Sequence, residues 1–107
     1  MCDHCPDTSP NAAYPVQHID NDQVRVTEWR FPLGSETGFH RHEMDYTIVP
    51  LNPGRMELTG PDGTVSYTEL TPGVSYFRKA GVEHNVKNIG ETEFAFVEVE
   101  LKPVTAL

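Results

Sequence analysis

Three histidines carry the chemistry that this sequence offers first. His40 and His42 flank Arg41, and His84 follows 42 residues after His42, in the run Gly81-Val82-Glu83-His84-Asn85. Side chains two apart on a β-strand share a face, so His40 and His42 point the same way. A third imidazole on a neighbouring strand would complete one side of a metal site. Imidazole suits Zn, Fe, Ni and Cu, and three side-chain ligands leave positions for exchangeable ones. Three unrelated surface histidines are the plainer alternative, and the shared face of the first pair counts against it. A ligating ring also needs its other nitrogen held by a carboxylate, a carbonyl or water. Glu43, Asp45 and Glu83 are near enough in sequence to serve.

Other groups could join such a site. Tyr46 lies at even spacing from His42 and shares its face if the strand is regular. Two roles stay open for it: a hydrogen bond to a metal-bound water, dioxygen or substrate, or an inward core aromatic. A phenol of pKa about 10 is a poor anionic ligand. Met44 has the same parity. Glu98 could reach across as a carboxylate or face solvent. Of Arg30, Arg55, Arg78 and Lys79, Arg78 is the strongest candidate to bind a substrate carboxylate, because it directly precedes the turn that leads to His84.

The elements that must position these groups read as short strands. Gln23 to Phe31 alternates, with Val24 and Val26 on one face and Thr27, Trp29 and Phe31 on the other. Further β-rich runs cover 44–51, 55–59, 64–70, 74–78, 83–89 and 93–102. Gly60-Pro61-Asp62-Gly63 is a hairpin turn signal between two of them. No stretch carries a helical period. Short strands at this spacing, divided by Gly and Pro turns, predict an all-β sandwich or barrel. In the last run, Ala95, Val97, Val99 and Leu101 form one face, and Phe94, Phe96, Glu98 and Glu100 the other. A strand apolar on both faces over its first half predicts cover on both sides. A homodimer would supply the second cover, with an N-terminal strand packed on the phenylalanines as the rival. Gly34, Gly38, Gly54, Gly73 and Gly81 read as turn glycines, and Asn88 as a residue that fixes a turn.

Composition bounds the rest. The 107 residues suit one domain, divided here into a flexible tail over 1–16 and a single domain over 17–107. Sixteen acidic against eight basic residues give a net charge of −8. Nucleic acid and anionic membranes are therefore poor partners, since both select Lys/Arg surfaces. A small-molecule ligand or substrate fits better. No run has the roughly 18 apolar residues of a transmembrane helix. The N-terminus lacks a signal-peptide pattern, which predicts a cytoplasmic address. Cys2 and Cys5, with His4 between them, could form a thiol clip, but the proline-rich surroundings favour a tail, and His18 is placed with it.

The motifs also resemble those of the cupin family. Gly34, His40, His42 and Gly54 match its first motif, G-x5-H-x-H-x3-4-E-x6-G. Gly73, Gly81, His84 and Asn88 match the second, G-x5-P-x-G-x2-H-x3-N. Two positions depart: the family glutamate falls at Thr47, or at Tyr46 under the shorter spacing, and the proline is Lys79. The run Thr37 to Tyr46, continuing to Val49-Pro50-Leu51, is similar to small bacterial cupins of the β-alanine degradation type. The resemblance implies a jelly-roll barrel, the cupin double-stranded β-helix. It implies one divalent transition metal (Fe, Mn, Ni or Zn) on His40, His42 and His84, with Tyr46 orienting the reacting species. It also implies a function similar to cupin dioxygenases, or alternatively a ligand-binding or sensor module, or a Lewis-acid isomerase or hydrolase.

Overall fold

The computed structural model describes residues 11–103. Among them are nine strands: β1 (Tyr14–Asp20), β2 (Val24–Phe31), β3 (His40–Arg41), β4 (Asp45–Pro50), β5 (Gly54–Thr59), β6 (Val65–Leu70), β7 (Tyr76–Arg78), β8 (Glu83–Asn88) and β9 (Phe94–Leu101). They form a five-stranded sheet in the order β1-β2-β9-β4-β7 and a four-stranded sheet in the order β3-β8-β5-β6. All of these pairings are antiparallel. The two sheets enclose one interior, an all-β barrel as the strand spacing predicts and of the jelly-roll form that the resemblance implies.

Inward side chains change character along the barrel. On β9 the buried row runs Phe94, Phe96, Glu98, Glu100. Antiparallel pairing sets Phe31, Trp29, Thr27 and Arg25 of β2 beside those residues in turn. Strand β4 adds Pro50 beside Phe96, Ile48 beside Glu98 and Tyr46 beside Glu100. One end is therefore a packed apolar core. There the Phe31 and Phe94 rings stack at 4.7 Å, and Phe96 lies 5.3 Å from Phe31. The other end is polar, and it holds the candidate site.

Two glycines show what the turns demand. Gly81 has φ of 101°, left-handed backbone that side chains resist, and its N–H closes on the His42 carbonyl at 2.8 Å. Gly54 was expected at a positive-φ turn and is not at one. Its lack of a side chain serves packing: a Cβ there would stand 2.6 Å from the Phe94 ring. Asn88 does fix a turn. Its buried amide donates to the Phe31 and Thr92 carbonyls at 3.1 and 3.0 Å and accepts from Gly90 N–H at 3.0 Å.

The N-terminal boundary needs a correction. Strand β1 starts at Tyr14, and Ala12 and Ala13 are buried, so the ordered fold begins inside the segment expected to be tail. Tyr14 pairs with Arg30, because β2 leaves an open edge that an extended chain can satisfy. His18 lies on this strand and meets Glu28 at 3.1 Å. Strand β1 does not cover Phe94 and Phe96, which face the interior; it extends the sheet edge. Cys2, His4 and Cys5 lie outside the described residues. None of the described residues forms a helix long and apolar enough to cross a membrane.

Candidate metal centre

The small sheet brings the three histidines together. His40 on β3 is the direct cross-strand partner of His84 on β8. His42 lies just past the end of β3, where its N–H still bonds the Val82 carbonyl at 2.8 Å, so the alternation holds through both residues. The Nε2 of His42 stands 3.0 Å from that of His40 and 3.1 Å from that of His84. The rings meet nearly edge to face, at 71° to 86°.

This arrangement fits a metal ion. Nitrogens held about 2.0–2.1 Å from one ion stand about 3 Å apart when they meet it at near right angles. Lone pairs at that spacing repel unless a cation or shared proton lies among them. The tautomer of His40 points the same way. Its Nδ1 is 2.9 Å from the Gly38 carbonyl, which can only accept, so Nδ1 carries the proton and Nε2 the lone pair. Burial lowers all three histidines, His42 to about 4 and His84 to about 3, the latter helped by the charges of His40 and His42. Neutral imidazoles are the form that binds metal.

Glu98 is buried beside this cluster. Its Oε2 lies 3.8 Å from His42 Nδ1, on the ring edge away from the converging nitrogens. It therefore stands behind His42, not among the inner donors. Burial, with the Glu100 carboxylate next to it, pushes Glu98 up to about 8. Glu100 is gripped by Arg25, whose Nε and Nη2 donate to its two oxygens at 2.7 and 2.9 Å. His42, Glu98 and Glu100 could also gather round an ion. That set is the poorer one, because Glu100 is already committed to Arg25.

Tyr46 is buried and its ring stacks on His42, 4.1 Å between centroids and 22° from parallel. Even spacing from His42 is not what puts it there. The chain crosses from the small sheet to the large one between Arg41 and Asp45, and Tyr46 points inward from the opposite wall. Burial raises its phenol, so a phenolate ligand is disfavoured. Thr47 pairs with Val99 and Phe77 and turns outward with them. Met44 is not among the residues lining the cavity. Glu43 and Glu83 pair with Arg41, at 3.4 and 3.1 Å, and Asp45 accepts from Ala80 N–H, so none of the three backs a histidine.

The three histidines, Tyr46 and Glu98 open on a cavity of about 540 Å³, a size suited to a small molecule. Arg25, Trp29, Tyr76 and Glu100 line it as well and were not anticipated. A signal for Glu100 existed in its parity with Phe96. Arg25 shares the parity of Thr27 and Trp29, but nothing local marks it as a partner for Glu100.

Residues 27–100 match the family description "Cupin domain". The chain belongs to the cupin family. This cupin is 52% identical over 90 residues to the β-alanine degradation protein BauB of Pseudomonas aeruginosa, covering 84% of this chain and 94% of that one. It is thus a small bacterial cupin of the BauB type. A crystal structure of a cupin domain from Bordetella pertussis Tohama I superposes with a TM-score of 0.84 at 52% identity, over 91% of this chain and 100% of that chain. A double-stranded β-helix domain from Klebsiella pneumoniae superposes at 0.71 with 23% identity, over 90% of this chain and 82% of that one. The second likeness supports the cupin fold alone.

Proposed function

We propose that this protein is a mononuclear metal cupin that binds a small polar molecule and, with a redox-active metal, oxidises it with dioxygen. The convergence of three neutral Nε2 donors at 3.0 and 3.1 Å carries the reading. His40, His42 and His84 would hold the ion, with Fe, Mn, Ni and Zn all compatible with three imidazoles. A bound redox metal would supply electron transfer and a common meeting point for substrate and dioxygen. The chain's own residues do the rest. The Gly38 carbonyl holds the His40 ring, Tyr46 packs against His42, and Glu98 stands behind that ring. The phenol of Tyr46, protonated at neutral pH, is a hydrogen-bond donor available to the ligand.

The relative's name links that protein to β-alanine degradation. Carried to this chain, it makes an amino acid or its breakdown product the ligand class. Elemental analysis of untagged protein, beside a His40→Ala/His42→Ala variant, tests the site. Stoichiometric metal lost in the variant supports it, and equal metal in both refutes it. Dioxygen uptake with candidate substrates then separates an oxidase or dioxygenase from a binding module.

A second copy is part of the same proposal. Val24, Val26, Val97 and Val99 lie on the outer side of the five-stranded sheet, with exposed Phe77 and Leu101 at its margins. A matching face of another copy would cover them.

A further inference from the structure

Three arginines line the cavity, and two of them are already matched. Arg25 holds both oxygens of Glu100. Arg41 lies 3.1 Å from Glu83 and 3.4 Å from Glu43. Arg78 differs. Among the described residues it forms no ion pair with a carboxylate. Among the same residues, Lys79 and Lys87 also lack an ion pair but do not line the cavity; Arg78 is exposed on one side and lines it on the other.

The position of Arg78 is also defined. It is the register partner of Tyr46 on β4, so its side chain follows Tyr46 to the inner side. Its guanidinium sits 5.0 Å over the ring of Tyr76, which lines the same cavity. Stacking fixes the plane of a guanidinium and leaves its N–H edge free to donate. Such an edge matches the two oxygens of a carboxylate. A single guanidinium edge matches one carboxylate, a monoanion.

We infer that Arg78 anchors a small monocarboxylate in this cavity, leaving the remainder of the molecule to extend toward the three histidines. The direction of that remainder rests on the metal reading above; the anchor itself does not. A carboxylate entering here would also bring the negative charge that Tyr46 and Thr47 do not provide where the family carries a glutamate.

Calorimetric titration with propionate tests the anchor on zinc-loaded protein and on chelator-treated, dialysed protein, with metal content measured in each. Propionamide and inorganic phosphate serve as comparisons, and Trp29, the sole tryptophan, gives a fluorescence readout from the same cavity. The wild type should bind propionate in preference to both comparisons. Arg78→Met should bind about tenfold more weakly or worse, the usual scale for losing one charged, paired contact. Arg78→Lys should fall between, and Arg55→Met, outside the cavity, should match the wild type. Equal affinity in wild type and Arg78→Met overturns the inference. So does an absence of propionate binding, or propionamide or phosphate binding as well as propionate. The two readings fail separately. Arg78-dependent propionate binding in a protein that takes up no metal keeps the anchor and removes the metal. Histidine-dependent metal with no effect of Arg78→Met does the reverse.

Discussion

Glu98 Oε2 lies 3.8 Å from His42 Nδ1, behind the ring whose Nε2 meets His40 and His84. A carboxylate that closes to hydrogen-bond distance there would orient the ring and raise its basicity. A cation on the histidines would in turn favour the ionised form of Glu98. Glu98→Gln should therefore lower metal affinity by roughly 10–100-fold while leaving the fold intact. Competition with a chromophoric chelator measures it, and affinity unchanged from wild type would remove Glu98 from the site.

His84 is the ligand contributed by the second motif, and its Nε2 is 3.1 Å from that of His42. His84→Ala should abolish stoichiometric metal at sub-micromolar free concentrations. The unfolding midpoint of the chelator-treated protein should change little, since His84 is only partly buried. Full metal occupancy in the variant, by mass spectrometry under native conditions, would refute the three-histidine site.

Stability of the metal-free protein should fall on both sides of a weakly acidic optimum. Between pH 6.5 and about 4 for His42, or about 3 for His84, the unfolded chain takes up protons that the folded one refuses. Stability is thus lost as pH falls through that window. Glu98 acts in the opposite sense. Its carboxyl keeps a proton up to about 8 when folded but releases it near 4.5 when unfolded. Stability is lost as pH rises from 4.5 to 8. Thermal unfolding of Glu98→Gln across this range should lack the alkaline decline, and a decline identical to wild type would contradict the assignment.

Gly54 faces Phe94 so closely that a methyl group would meet the ring at 2.6 Å. Gly54→Ala should destabilise the barrel by about 1–3 kcal/mol, the common cost of overpacking a core. Urea unfolding reads it directly. A midpoint unchanged from wild type would show that the Phe94 ring yields freely.

The outward valines of β2 and β9 lead to the expectation of a dimer. Light scattering after size exclusion should give twice the 12.0 kDa of the chain, and Val97→Lys should shift the mass toward the monomer. A monomer for the wild type at about 100 μM, well above the range of stable homodimers, would leave that face without a second copy.

By itself the sequence determined most of the strands and the shared face of His40 and His42, because alternation and turn chemistry act over a few residues. Six strands lay within runs readable from β-branched and aromatic residues bounded by Gly and Pro, and β5 overran its run by Gly54 alone. Strand β1 was hidden by Pro15 and its polar residues; it forms because the edge of β2 offers it hydrogen bonds. Two-residue β3 showed only as the histidine pair. The tertiary structure alone decided what stands opposite the histidines. Tyr46 reached His42 by a change of sheet that even spacing cannot foretell. Glu98 came to lie behind His42, and Glu100 against Arg25, through pairings between β9, β2 and β4 across distant parts of the chain. Arg78 was visible as an arginine, but only the closed barrel showed which cavity arginines had partners and which did not. Local periodicity assigns a side chain to a face; the register of remote strands assigns it a neighbour.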